Sequence, residues 1–433
     1  MSAMRRIYCG NPDDIQSLLS RDGGERLDVD AAVSAILADV KARGDEAVLE
    51  YTRRFDGCEP DSLRVSEGEI DRALDAVGEG FTEILREAGG NIRAYHERQK
   101  RAGFIITDRP GAVIGQRVMP LKRVGIYVPG GTASYPSTVL MNAIPAKIAG
   151  VPELVMVTPA GKDGAVAPEI LAAARIAGVD RIFRIGGAQA VGALAYGTQS
   201  VPRVDKIVGP GNVYVATAKR MVFGLVDIDM IAGPSEVLII ADESANPEYV
   251  AMDMLSQAEH DRLAASFLVT ASEALADAVD AKVAEFMPTL PRSDIARQAI
   301  AKNSAIVLTD SVEKAIGISN RIAPEHLELC VFEPFSKLPL IADAGSVFLG
   351  NYAPEALGDY FAGPNHTLPT GGTARFSSPL SVDDFIKKSS FIYYDKDALE
   401  RVHGRIIAFA EREGLRAHAN SVAVRFSGDG YDA

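Results

Sequence analysis

The chain has no tryptophan, only three cysteines and six histidines in 433 residues, and fewer basic than acidic side chains, 45 against 58. The missing tryptophan excludes nothing about function. Cys9, Cys58 and Cys330 are odd in number, far apart and form no Cys-x-x-Cys pair. That excludes a disulfide framework and a thiolate zinc site, and it fits a reducing cytoplasm. Cys330 follows Glu325-His326 and reads as a small core residue rather than a nucleophile. A net charge of −13 leaves no basic stripe, so a nucleic-acid backbone is excluded as partner and an anionic membrane is disfavoured. The acidity itself reads as a solubility feature. No uncharged apolar run reaches the ~18 residues of a membrane span. The opening Met-Ser-Ala-Met-Arg-Arg-Ile-Tyr lacks the apolar stretch of a signal peptide.

What is present is a chain of two- or three-domain length, 47% hydrophobic and 24% charged. Residues 27–100 read helical, with Val29, Val33, Ile36, Leu37 and Val40 at helical spacing and the pattern continuing from Ile70 to Ile92. From Val124 onward, short β-branched runs alternate with helical stretches. Segments 124–128, 154–158, 181–185 and 206–208 read as buried strands, and a second series follows at 237–241, 267–270, 305–308 and 347–349. Such alternation implies right-handed crossovers and parallel sheets with helices on both faces. The expected fold class is therefore α/β: two doubly wound, mostly parallel-sheet domains with small helical N- and C-terminal segments. The expected divisions are 1–26, then 27–126 together with 236–380, then 127–235, and a helical tail over 381–433.

Glycine loops follow three strands of the first series: Val128-Pro129-Gly130-Gly131-Thr132, Gly186-Gly187-Ala188-Gln189 and Gly209-Pro210-Gly211-Asn212. Open α/β sheets bind ligands at such carboxyl ends, and glycine lets backbone approach a phosphate. None is the GxGxxG fingerprint. Each pair alone is also a tight turn; together they point to a nucleotide crevice without naming the cofactor.

Four of the six histidines lie in segments dense in carboxylates and carboxamides: Gln257-Ala258-Glu259-His260-Asp261, Pro324-Glu325-His326, Asp359 with Asn365-His366, and Glu413 with His418. Any one of them alone reads as an ordinary loop or helix-end histidine. Together they suggest a divalent-metal site beside a proton-handling group. Asn246-Pro247 marks a helix start, so Gln257 and His260, three apart, share one helical face. Glu325 and His326 suit general acid–base work. Glu413 and His418 lie so far along the chain that a shared site requires the tail to fold back or to be donated by a second subunit.

Seven motifs in one order carry a family resemblance: Tyr127-Val128-Pro129-Gly130-Gly131, Gly209-Pro210-Gly211-Asn212, Ala232-Gly233-Pro234-Ser235-Glu236, Ser256-Gln257-Ala258-Glu259-His260-Asp261, Ala323-Pro324-Glu325-His326-Leu327, Gly358-Asp359-Tyr360 and Leu415-Arg416-Ala417-His418-Ala419-Asn420. In combination they resemble the bacterial histidinol dehydrogenases from about residue 27 to 425. The resemblance implies a cytoplasmic homodimer that uses NAD and one zinc ion per subunit to oxidise L-histidinol to L-histidine through histidinaldehyde, the last steps of histidine biosynthesis. It implies Gln257, His260 and Asp359 as zinc ligands, with His418 from the partner subunit. It implies Glu325 and His326 as the acid–base pair, and Tyr127, Gln189 and Asn212 as dinucleotide contacts. Ser235, His326, His366 and the partner-donated Glu413 are implied substrate contacts, joined at the substrate by the metal ligands Gln257, His260, Asp359 and His418. On this reading 27–126 with 236–380 carries the metal and catalytic residues, 127–235 binds the dinucleotide, and 381–433 reaches the partner's active site. Two alternatives stand beside it. One is a dehydrogenase on the same scaffold acting on another polar alcohol, such as a sulfonated diol. The other is a zinc hydrolase or a non-catalytic nucleotide sensor.

Overall fold

The structure, a computed structural model, describes residues 4–9, 26–130 and 134–427. It divides into two compact units. The first takes the described residues up to Lys100 and Leu121–Phe385; the second takes Arg101–Pro120 and the described residues from Ile386 on.

The first unit holds two parallel sheets. One contains β4 (Arg123–Tyr127), β5 (Glu153–Thr158), β6 (Arg181–Arg184), β7 (Lys206–Val208) and β8 (Asp227–Ile228), in the order β6-β5-β4-β7-β8. The other contains β1 (Arg5–Tyr8), β9 (Glu236–Ala241), β10 (Ala265–Thr270), β11 (Ala305–Leu308), β12 (His326–Cys330) and β13 (Ser346–Leu349), in the order β1-β11-β10-β9-β12-β13. Setting β1 aside, each sheet winds third-second-first-fourth-fifth, so the two are related doubly wound halves, as the sequence pattern predicts. Each has a switch point where the winding reverses, between β4 and β7 and between β9 and β12. The strands are covered on both faces, which is why they read as apolar runs rather than alternating ones.

Helix ends follow the local chemistry. Ser66 and Glu69 form a reciprocal capping box at the head of Glu67–His96. Asn246 caps Pro247–Ala258 by accepting the Glu248 N–H at 2.9 Å. Gly150 and Gly178 close their helices in the left-handed conformation. The helices over 26–96 pack on the five-stranded sheet: Val33, Leu37, Val40 and Val48 share one core with Val155 and Phe183, and Ile70, Leu85 and Ile92 share another with Ile126 and Met156. The expected division places these helices with the later sheet instead, because an amphipathic stripe does not say which sheet it covers. Among the described residues no helix is long and apolar enough to cross a membrane.

The second unit is a three-stranded antiparallel sheet of β2 (Phe104–Ile106), β3 (Ala112–Pro120) and β14 (Ile386–Tyr394), followed by helices Lys396–Glu400, His403–Arg412 and Arg416–Ala423. The tail expected to be helical from 381 has one short helical turn, Val382–Phe385, and then a nine-residue strand. Its Lys-Lys-Ser-Ser run has no apolar alternation, and pairing along all nine residues with β3 supplies what the pattern lacks.

Candidate active site

The acid-and-histidine segments of the first unit converge at the amino ends of β9 and β12, where His326 is in register with Val237. This is the opposite edge from the carboxyl ends at which open α/β sheets usually hold ligands. Ser235 and Glu236 enter from the head of β9, Glu325 and His326 from the head of β12, and Gln257 and His260 from the end of the Pro247–Ala258 helix. Asp359 comes from the short Glu355–Tyr360 helix, with His366 on the loop beyond it.

Four residues form the buried floor. Gln257 is fully buried, and Glu325, His326 and Glu355 are each at most 6% exposed. The Glu325 carboxylate accepts the Glu236 N–H at 3.0 Å and a hydrogen bond from Ser235. His326 Nδ1 lies 3.2 Å from the Glu236 carbonyl, which can only accept. Nδ1 therefore carries the proton, and Nε2 presents a lone pair. That Nε2 is buried without a hydrogen-bond partner and lies 3.8 Å from Asp359 Oδ1. His366 repeats the arrangement: its Nδ1 donates to the Asp359 carbonyl at 3.1 Å. The Gln257 carboxamide, oriented to suit its neighbours, directs its nitrogen to Glu355 at 2.8 and 3.0 Å.

The electrostatics are lopsided. Burial, then Glu236 and Asp359, pushes Glu325 well above the carboxylate range. Burial and the surrounding acids do the same to Glu355, and burial raises Asp359 to about 7. Burial lowers His326 to about 3 and His366 to about 4, and it lowers His260 as well. Among the described residues, the ion-pair contacts of Glu325, Glu355 and Asp359 all run to the neutral His326, at 3.8–3.9 Å. Buried acids with no lysine or arginine beside them are a poor core but a good cation site.

A cation has a place there. One ligand atom each from His260, Glu355 and Asp359 lies within 4.8 Å of the others. Imidazole, carboxylate and carboxamide donors together match the preference of a zinc-like ion, so the donor set fits. The adjoining cavity, of about 230 Å³, is lined by His326, Ser346, Phe348, Asp359 and His366. Its size suits a small molecule rather than a dinucleotide.

Glu355 was missed by sequence reasoning. It stands four residues before Asp359, so both share one helical face, and that spacing was the available signal. Glu328 and Asp253 were missed too. Glu328 is buried behind the site, accepts the Glu355 N–H at 2.9 Å and is hydrogen-bonded to Asp253.

The expected dinucleotide contacts cluster at the carboxyl edge of the five-stranded sheet. Tyr127 ends β4, and its hydroxyl accepts the Gly187 N–H at 3.2 Å. Gln189 is fully buried, and neither of its amide atoms has a hydrogen-bond partner. An orphaned buried amide of this kind marks a place for a ligand or water. Asn212 caps Val213–Val222, its oxygen accepting from the Tyr214 and Val215 N–H groups, which leaves its NH2 group available. Gly131 and Thr132 of the first glycine loop lie outside the described residues. Asn365, beside His366, donates to the Met141 carbonyl at 2.6 Å and so ties the His366 loop to the helix that follows β4. Glu413 and His418 belong to the second unit, at the end of His403–Arg412 and within Arg416–Ala423, and both are exposed.

Comparison with known proteins gives one consistent result. The family model described as histidinol dehydrogenase matches residues 19–426. A histidinol dehydrogenase of Geobacter metallireducens is 55% identical over 420 residues, covering 96% of both chains. One of Syntrophotalea carbinolica is 58% identical over 399 residues, covering 92% of both. The crystal structure of histidinol dehydrogenase from Elizabethkingia anophelis superposes with a TM-score of 0.93 at 40% identity, covering 98% of each chain.

Proposed function

The chain belongs to the histidinol dehydrogenase family, and from that premise we propose that it is a cytoplasmic, zinc-requiring enzyme of histidine biosynthesis that oxidises L-histidinol to L-histidine in two NAD-dependent steps. The observation that carries the reading is the pairing of a neutral, lone-pair-bearing His326 with a protonatable Glu325 beside a cluster of His260, Glu355 and Asp359 donors close enough to share one cation. Gln257, His260 and Asp359 would hold zinc, with His418 supplied by a second copy of the chain. Tyr127, Gln189 and Asn212 would contact the dinucleotide. Bound NAD supplies the hydride acceptor, and bound zinc supplies a cationic template for the substrate's imidazole and amine.

The chain's own residues handle the protons. His326 Nε2 takes the hydroxyl proton of the alcohol as the carbinol carbon gives up hydride. The product is an aldehyde, histidinaldehyde, and it stays in the pocket. Glu325 then directs a water to the aldehyde carbon and takes its proton. His326 again receives the hydroxyl proton as the hydrate loses the second hydride. One alcohol and one water thus become one carboxylate, with two hydrides and three protons released. Ser235, His366 and the partner-donated Glu413 bind the substrate's polar groups. The tight wall around His326 excludes bulk water and retains the aldehyde between steps.

The decisive experiment is a count. Purified protein with L-histidinol and NAD should give two NADH per histidinol and histidine as product. A single equivalent, or turnover with a sulfonated diol and none with histidinol, would replace the reading with the same-scaffold alternative. No NADH from any alcohol would replace it with a hydrolase or sensor.

A further inference from the structure

We propose that Lys219 and Asp229 are positioning residues that hold the loop after β7 in the shape the dinucleotide requires. The inference rests on the reading of the five-stranded sheet's crevice as the NAD site. Gly209 follows β7 directly. Its N–H donates to Asp229 Oδ2 at 2.7 Å, and its carbonyl accepts from Lys219 Nζ at 2.8 Å. Lys219 Nζ is also paired with Asp229 Oδ1. Both polar groups of one backbone residue are therefore gripped by the two ends of one ion pair.

The position of that grip matters. Gly209 has φ +110, and a Cβ on it would stand 2.1 Å from the Tyr127 carbonyl oxygen. It is the point where the loop after β7 presses on the end of β4, which is the switch point of the sheet. Three residues on, Asn212 caps the helix that carries Lys219. The clamp thus closes a ring through Gly209, the loop, Asn212 and the helix, and back through Lys219 to Gly209. Tyr127 and Asn212, both read as dinucleotide contacts, sit on that ring or against it.

Stability alone does not account for the pair. Lys219 is 2% exposed and the Asp229 side chain 0%, beside a core that contains Ile207, Val215, Ala218, Val222 and Val226. Apolar residues of similar volume do as well or better in such a setting. What they cannot do is take the N–H and the carbonyl of Gly209 and fix the loop between them.

The test is Lys219→Met with Asp229→Leu, assayed as full-length zinc-loaded enzyme. The KM for NAD should rise about tenfold. Turnover at saturating NAD and the KM for histidinol should stay within about twofold, with zinc content and Tm near wild type. Lys219→Met with Asp229→Asn is the second variant and guards against a first that does not fold. It leaves no unpaired buried charge and keeps an acceptor for the Gly209 N–H while the Gly209 carbonyl loses its donor, so the KM for NAD should rise about threefold with the KM for histidinol unchanged. An unchanged KM for NAD in both variants overturns the proposal, as does a parallel rise in both Michaelis constants. Failure of the wild-type protein to reduce NAD with histidinol overturns the parent reading instead, so the two failures are distinguishable.

Discussion

The carboxamide nitrogen of Gln257 faces both carboxylate oxygens of Glu355, at 2.8 and 3.0 Å. A carboxamide has one donor end and one acceptor end, so occupying the nitrogen commits the oxygen to the other side. Glutamine is an uncommon metal ligand; here Glu355 fixes which of its ends is offered. Glu355 is held in turn from behind, its N–H on the buried Glu328. The proposed ligand Gln257, its orienter and the orienter's anchor come from the Pro247–Ala258 helix, the Glu355–Tyr360 helix and β12.

Glu355→Gln should therefore weaken metal binding without unfolding the protein. The substituted amide offers one oxygen where the carboxylate offered two, and the Gln257 amide loses its fixed sense. Partners of this kind are worth about 10–100-fold in metal affinity. Competition with a chromogenic chelator measures it, and a zinc affinity within about twofold of wild type would remove Glu355 from this role.

His326→Asn and Glu325→Gln should fold and hold zinc normally yet lose turnover, by about 10² to 10⁴-fold. The two should differ in step. On the proposed mechanism His326 serves both oxidations and Glu325 the hydration between them, so Glu325→Gln should impair histidinaldehyde oxidation more than histidinol oxidation. Assaying the two half-reactions separately checks this. Equal losses in both halves for Glu325→Gln would contradict the division of labour.

The sheets were legible where burial on both faces leaves nothing but apolar residues, as in β5, β9 and β10. β12 was not, because His326-Leu327-Glu328-Leu329-Cys330 places a histidine and a glutamate in a fully buried strand. Local pattern reads that as partly exposed; its polar residues are there for the site. β14 was hidden for a different reason: its pairing partner lies more than 260 residues earlier in the chain. The site residues Gln257, His260, Glu325, His326, Asp359 and His366 were visible because histidine is scarce and each stands near an acid. Glu355 and Glu328 read as an ordinary first-turn acid and a strand acid, and only the fold shows them facing Gln257 and Asp253.

Stability of the metal-free protein should fall as pH rises from 6.5 to 8.5. Asp359 is raised to about 7 by burial, and Glu325, Glu328 and Glu355 well above their usual range. From pH 6.5 upward the unfolded chain has already released these protons, whereas the folded chain gives up that of Asp359 only near 7 and those of Glu325, Glu328 and Glu355 at higher pH than ordinary carboxylates. The unfolded state binds fewer protons, so stability declines with rising pH, at up to about 1.4 kcal/mol per pH unit for each proton held. The buried histidines oppose this only at the low end: His326 and His366, lowered to about 3 and 4 against a usual 6.5, are neutral in the folded state throughout, and their unfolded forms lose nearly all their remaining charge by about pH 7.5. Zinc should flatten the profile, because a cation among the acids stabilises their charged forms. Melting curves of chelator-treated and zinc-loaded protein check this, and a metal-free Tm that is level or rising across the window would contradict it.

His418 should act on a site in another copy of the chain. Its imidazole is exposed on the Arg416–Ala423 helix, and the cation cluster of His260, Glu355 and Asp359 contains only one histidine. His418→Ala should accordingly lose zinc, whereas His326→Asn should keep it. Mixing gives the sharper result. Subunits of His418→Ala keep an intact floor and lack the donated ligand; subunits of His326→Asn lack the base and can still donate. In a mixed dimer one of the two sites regains a full set, and half of randomly reassorted dimers are mixed, so activity should return to about a quarter of wild type. If verified subunit exchange restored nothing, or if His418→Ala retained full zinc, donation across the dimer would be wrong.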